Sequence, residues 1–185
     1  LLKKQREFIL LDEQKVAFEL AMSAIRNCQA NASAPKQVLI VRGGPGTGKS
    51  VVAINLLVSA LAEGNNAAYV TKNAAPRDVY ESKLTGTTGT LAKTRYRALF
   101  KGSGAFVGSA ADAFDALIVD EAHRLNEKSG LYANLGENQI KEIIDAARCS
   151  VFFLDEDQRI HINDIGSEDE IRRWAEAAGA EVTDL

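Results

Sequence analysis

Cysteine is scarce in this 185-residue chain: there are two, Cys28 and Cys149, far apart and without a second Cys or a His at ligand spacing. That argues against a disulfide scaffold or a cysteine-rich zinc site and leaves reduced core thiols in a cytoplasmic setting as the expectation. No apolar run approaches the roughly 18 residues of a membrane span, and no signal-peptide pattern opens the sequence, so no membrane role is expected. Positive charge is not in excess either: 22 Lys and Arg stand against 25 Asp and Glu, a net charge of −3. Without a global basic field, any contact with a polyanion must come from local patches. The sequence starts at Leu1 without a methionine, which leads us to expect a piece of a longer protein or a trimmed one. Low complexity is confined to Thr85 to Thr90, expected to be a mobile loop. Hydrophobic residues, by contrast, make up 46% of the chain. A chain of this length and apolar content forms one domain that buries about 70% of its unfolded surface.

The strongest local pattern runs from Val38 to Ser50. A short β-branched run, Val38-Leu39-Ile40-Val41, feeds Gly43-Gly44-Pro45-Gly46-Thr47-Gly48-Lys49-Ser50, and a helix-compatible run follows from Lys49 to Ala62. This is the G-x-x-x-x-G-K-[ST] phosphate loop in its required strand-loop-helix setting. Glycines at 43, 44, 46 and 48 permit positive φ angles and close backbone approach, so successive N–H groups can face an anion. Lys49 supplies a point charge for the β- and γ-phosphates of a nucleotide. Ser50 offers a hydroxyl to Mg²⁺, and the first turn of the helix adds its positive dipole end.

Upstream, Asp12 reads as an N-cap, with Leu11 and Val16 spaced as a hydrophobic staple. Ala17, Leu20, Ala21, Ala24 and Cys28 then share one stripe of a helix running to about Asn31. Gln14, in its first turn, is on this context alone a solvated helix residue. Downstream of the phosphate loop, the second helix is apolar on nearly every side, as for a helix packed between layers. Ala67 to Thr71 reads as a second strand, followed by Lys72-Asn73 and a helix opening near Pro76. Strand, helix and strand in this order imply a right-handed crossover in a parallel sheet. Lys93, Arg97 and Lys101 recur at i, i+4 and i+8 and would align on one helical face, as a solvated stripe or a polyanion contact. A short strand is expected at Ala105-Phe106-Val107.

A second strong signal is Ala116-Leu117-Ile118-Val119-Asp120-Glu121-Ala122-His123. A buried-strand run ends in adjacent carboxylates, and open parallel sheets bind ligands at the carboxyl ends of their strands. Asp120 is then placed to hold Mg²⁺ opposite Ser50, and Glu121, one position beyond the metal, to accept a proton from attacking water. His123 either passes the nucleotide state to its neighbours or caps the local turn. Asn126 to Gly136 is expected to move. Ile140, Ile143, Ile144 and Ala147 mark an amphipathic helix, and Ser150 to Leu154 the next strand, which ends in Asp155-Glu156-Asp157-Gln158. Gln158 is either a group that hydrogen-bonds the terminal phosphate or the attacking water, or a loop glutamine. Ser167 with Glu170 forms a capping box, and Glu181 to Leu185 looks like the opening of another strand.

The ordered set Leu11-Asp12-Glu13-Gln14, Gly43 to Ser50, Val70-Thr71-Lys72-Asn73, Asp120-Glu121-Ala122-His123 and Phe153 to Gln158 resembles the first RecA-like lobe of superfamily one helicases. It looks closest to bacterial domains that group with the Schlafen group 3 DNA/RNA helicases. The resemblance implies a three-layer α/β P-loop NTPase fold with a mainly parallel central sheet and helices on both faces. It implies one lobe over residues 1–185, with helices within 1–31 packing on a phosphate-loop core at 37–185, and a second RecA-like lobe that this chain does not contain. It also implies an ATPase: ATP and Mg²⁺ as cofactors, Gln14 reading the adenine edge, Gln158 as the γ-phosphate sensor, and Lys72 and Asn73 near the backbone of single-stranded DNA or RNA. Two departures stand out: Asp-Glu-Ala-His is more familiar in superfamily two, and Leu154 occupies the place of the usual glycine before Asp155. The expected function is a motor lobe of a nucleic-acid-dependent ATPase, in which the chain alone binds ATP but hydrolyses it poorly. The competing reading is a nucleotide-controlled switch or AAA-type assembly ATPase with no nucleic-acid track, which usually carries an Asn or Thr sensor where this chain has Asp155 and Gln158.

Overall fold

The computed structural model describes residue 10, residues 12–73, 98–130, 132, 134–155, 158 and 164–185. Helix α1, Asp12–Ala30, begins with two acidic residues in its first turn, where the helix dipole favours them. Strand β1, Gln37–Arg42, leads through the phosphate loop into α2, Lys49–Ala62, and then β2, Ala67–Val70. Strand β3 is only Phe100–Lys101. Strand β4, Phe114–Val119, is followed by a 3₁₀ turn at Ala122–Arg124. Helix α3, Gln139–Ala146, runs without a loop into β5, Ala147–Leu154. Helix α4, Glu168–Ala177, and β6, Glu181–Asp184, close the chain.

Among the described residues, six strands form one sheet in the order β3-β2-β4-β5-β1-β6, and every pairing between them is parallel. A parallel sheet must be covered on both faces, so its strands carry apolar side chains at consecutive positions. Alternate residues point to opposite layers. Leu39, Val41, Tyr69, Ile118, Val151 and Phe153 pack under α1 and α2. Val38, Ile40, Val70, Leu117, Val119 and Phe152 pack against α3 and α4 on the other side. The result is a three-layer α/β domain with a separate apolar core on each face of the sheet. Among the described residues, no helix is long and apolar enough to cross a membrane.

Several sequence expectations shift in detail. Ser103–Phe106 is a 3₁₀ turn, so the strand expected at Ala105 to Val107 is displaced to Phe100–Lys101, which pairs with Tyr69 and Val70. Because Lys101 is in a strand, with its ammonium 5.6 Å over the Phe114 ring, it does not continue a helical stripe with Lys93 and Arg97. Those two residues, the Thr85 to Thr90 patch, the helix expected near Pro76, and Leu11 of the staple lie outside the described residues. The Asn126 to Gly136 segment, expected to move, carries a hydrogen-bonded turn: Ser129 and Leu135 exchange backbone hydrogen bonds of 2.8 and 2.9 Å. Helix α3 is capped by Asn138, whose side chain accepts from the amides of Ile140 and Lys141. Helix α4 is capped by Ser167, which accepts from the Glu170 amide, one half of the expected capping box; the Ser167 N–H donates to Ile165 O at 2.6 Å instead of to the Glu170 side chain. Cys28 and Cys149 are free and buried. They lie side by side in the core under α1: a hydrogen bond from Cys149, ahead of all other influences, lowers the Cys28 thiol to about 7, while the same contact and burial push Cys149 up.

Candidate functional site: a phosphate loop and a carboxylate pair at one end of the sheet

The phosphate loop turns from β1 into α2 over Gly43 to Gly48. Positive φ is confined to Gly46 and Gly48, at 75° and 83°. At Gly48 the requirement is doubled, because a Cβ there would lie 2.4 Å from the side-chain nitrogen of Gln14. Gly43 is needed for space instead, since a Cβ would meet the Thr47 hydroxyl at 2.7 Å, and Gly44 is under neither constraint. Pro45, Gly46 and Thr47 form the exposed crest of the loop. The Thr47 hydroxyl donates to Gly44 O at 2.9 Å and braces it. Gln14 is not merely solvated: its Nε2 donates to Thr47 O at 2.7 Å, tying α1 to the loop across 33 positions of sequence. Beside this contact is a cavity of about 410 Å³, walled by Gln14, Val16, Ala17, Arg42, Gly43 and Phe153 among others.

Lys49 and Ser50 open α2 and face the carboxyl ends of the strands. The Lys49 ammonium donates to Gly43 O and, at 2.7 Å, to Gly44 O, and it stands 3.6 Å from Asp155 Oδ2. That proximity follows from strand order. Strand β5 is the direct neighbour of β1, so the residue after β5 comes closest to the loop after β1. Strand β4 lies one place further out, yet Asp120 still reaches the helix: Ser50 Oγ donates to Asp120 Oδ2 at 2.6 Å. Asp120 is 5% exposed. Two further donors converge on it, the Tyr69 hydroxyl from β2 and, at 2.9 Å, the backbone N–H of Glu121.

Glu121 sits in a left-handed backbone conformation, φ 53° and ψ 42°. A non-glycine residue held there stores strain, a feature that clusters at functional sites. Its carboxylate accepts from Asn73 Nδ2 at 2.6 Å and lies 4.0 Å from the Arg124 guanidinium. His123 is buried beneath this turn, and its Nδ1 accepts from the Asp155 amide at 3.2 Å. It therefore bridges the turn after β4 to the turn after β5. Burial, the largest influence, lowers the His123 pKa, so the ring is held neutral. The Gln158 N–H donates to Asp155 O at 3.2 Å, which brings the residue to the turn after β5.

Lys72 takes a different position from that of a free surface cation. Its ammonium donates to Asn126 Oδ1 at 2.9 Å and to Asp164 Oδ1 at 3.0 Å, and the Asp164 side chain is fully buried. The segment around Asp164 is stitched to the turn after β4: Ile165 N–H donates to Leu125 O at 2.8 Å, and a Cβ at Gly166 would collide with Ala122 O. Tyr69, Arg124, Asn126, Asp164 and Gly166 all border the site without having stood out in the sequence. Only Gly166, just ahead of the Ser167 cap, left a local signal.

Comparison with known proteins supports the same frame. The Schlafen group 3 DNA/RNA helicase domain family matches residues 36–185. A Sulfolobus solfataricus SWI2/SNF2 ATPase core, solved in complex with dsDNA, superposes with a TM-score of 0.51 at 10% identity, covering 96% of this chain and 45% of that one. A DNA replication initiation factor superposes with a TM-score of 0.46 at 16% identity, covering 96% and 47%. The chain thus spans a little under half the length of each of these two structures. No curated protein sequence gives a significant match. The parallel sheet, the two helical layers and the position of the phosphate loop agree with a three-layer RecA-like fold. With the family matched across its whole sheet, this chain belongs to the Schlafen group 3 DNA/RNA helicase domain family.

Proposed function

We propose that this lobe binds Mg-ATP and, as part of a nucleic-acid-dependent ATPase, hydrolyses it with water activated by Glu121. The observation that carries the proposal is the 2.6 Å contact between Ser50 and Asp120, which puts a hydroxyl and a carboxylate at the start of the phosphate-loop helix. Hard oxygen donors of this kind suit Mg²⁺, which takes one or two protein ligands and completes its shell with phosphate and water. Bound there, Mg²⁺ would neutralise charge on the β- and γ-phosphates.

The chain's own residues do the rest. The backbone N–H groups of Gly44 and of Gly46 to Ser50 cradle the phosphates, and Lys49 exchanges its contacts with the Gly43 and Gly44 carbonyls for phosphate oxygens. Glu121 accepts a proton from the attacking water as the water oxygen bonds to the γ-phosphorus and the bond to ADP breaks. Gln158 senses the γ-phosphate. The cavity beside Gln14 has apolar walls and an amide at its edge, which suits an adenine ring. Completion of the site requires an arginine from a second RecA-like lobe, a group worth about 10³–10⁵ in rate in phosphate-loop enzymes. The lobe alone is accordingly a nucleotide binder with weak turnover.

Titration calorimetry with ATP, with and without Mg²⁺, tests the binding step, and no magnesium-linked heat refutes it. Stimulation of hydrolysis in the full protein by single-stranded DNA or RNA tests the track. If neither polymer stimulates, the nucleotide-controlled switch replaces the motor as the better reading.

A further inference from the structure

Both oxygens of Glu121 have neighbours in the resting chain. Asn73 Nδ2 donates to Oε2 at 2.6 Å, and Arg124 Nη1 stands 4.0 Å from Oε1. The donor is itself held in place. The Asn73 N–H donates to the hydroxyl of Thr71 at 3.3 Å, and Thr71 is 1% exposed. Lys72, between them, is anchored to Asn126 and Asp164. The end of β2 thus delivers an amide to a defined point, and the left-handed backbone of Glu121 delivers the carboxylate to meet it.

The Asn73 N–H occupies a lone pair of Glu121 Oε2 and, with the anchored end of β2 behind it, fixes where the carboxylate points. A carboxylate held in this way is not free to turn toward a water placed elsewhere in the site.

We propose that Asn73 is a positioning residue that restrains Glu121, slowing proton transfer from the attacking water until the amide is withdrawn. The proposal rests on the reading of Glu121 as proton acceptor given above. It also identifies what would withdraw the amide. A phosphodiester oxygen is an anionic acceptor of the same kind as the carboxylate, so a nucleic-acid strand reaching the loop after β2 competes for the same N–H. Strand binding and release of Glu121 are then one event, and hydrolysis waits for the track.

The test is steady-state hydrolysis of Mg-ATP by the full protein, with and without single-stranded polymer, in the parent and in Asn73→Ala, Asn73→Asp, Asn73→Gln and Glu121→Gln. Asn73→Asp keeps the size and turn preference of asparagine while replacing the donor with an acceptor, so it remains informative should the alanine variant fold poorly. Both Asn73→Ala and Asn73→Asp are expected to raise the polymer-free kcat about tenfold, the lower end of what a hydrogen bond to a charged group is worth. KM should stay within about twofold and stimulation by polymer should shrink by the factor gained. Asn73→Gln, which retains the amide, should fall between parent and alanine. Adding Glu121→Gln to either should abolish the gain. A merely structural role for Asn73 predicts a lower kcat, and that outcome, or Glu121-dependent hydrolysis indifferent to Asn73→Asp, overturns this proposal alone. Hydrolysis unaffected by Glu121→Gln in the parent overturns the underlying function as well.

Discussion

Replacing Lys72 with methionine separates a structural lysine from a nucleic-acid contact, because the two roles predict opposite results. In the structure the Lys72 ammonium holds Asn126 at 2.9 Å and Asp164 at 3.0 Å, joining the ends of β2 and β4 to the segment that enters α4. The Asp164 side chain is fully buried while that of Lys72 is 27% exposed. Breaking a buried ion pair from one side costs about 3–5 kcal/mol. Water reaches the lysine end of this pair, which discounts the loss in Lys72→Met to about 2 kcal/mol. For a domain of this size that is a fall in Tm of roughly 4–8 °C. Urea and thermal melts of Lys72→Met, Asp164→Asn and the double variant measure it, and the cycle should return a coupling of at least about 1 kcal/mol. A lysine dedicated to a phosphate behaves otherwise, leaving the melt unchanged and lowering the salt slope of nucleic-acid binding by about one. A Lys72→Met melt within about 0.5 kcal/mol of the parent, with near-zero coupling, refutes the structural assignment.

Tyr69→Phe removes one donor from the buried Asp120 and leaves those from Ser50 and Glu121 in place. It should cost about 1.5–3 kcal/mol in a denaturant melt, as for a hydrogen bond to a charged group, and a change below about 0.5 kcal/mol would show the hydroxyl contributes little. Glu121→Gln should lower turnover by about 10²–10⁴ while nucleotide affinity, measured by fluorescence titration, stays the same; unchanged turnover removes Glu121 from the chemistry. Burial lowers the His123 pKa from its ordinary 6.5. The unfolded chain therefore takes up a proton that the native chain resists, so this stability is complete above about pH 6.5 and is lost as pH falls below it. Melts at about pH 7 and pH 5 should show a smaller acid loss in His123→Asn than in the parent, and equal losses would discount His123 as the source.

What could be read from the sequence was local. The phosphate loop announced itself because the left-handed turns at Gly46 and Gly48, a lysine and a hydroxyl must occur at fixed spacing between a strand and a helix. The Ser167 cap was legible for the same reason, and so were β1, β2, β4 and β5, whose apolar runs mark strands covered on both faces. Where local signals are weak, the expectation drifted. Phe100–Lys101 became a strand because β2 offered it an edge, and β5 starts directly at Ala147 with no turn residue to announce it.

The sequence by itself determined that a strand, a glycine turn and a helix would present Lys49 and Ser50, and that a second strand would end in Asp120 and Glu121. Tertiary structure decided which strands are neighbours, and with that which side chains meet. By inserting β5 between β1 and β4 it placed Asp155 near Lys49 and made Asp120 reach Ser50 across an intervening strand. It also turned Lys72 toward Asp164, 92 positions away, and Asn73 toward Glu121, 48 positions away. Strand order is set by how whole layers bury their apolar faces, a property of the assembled sheet that no window of neighbouring residues contains.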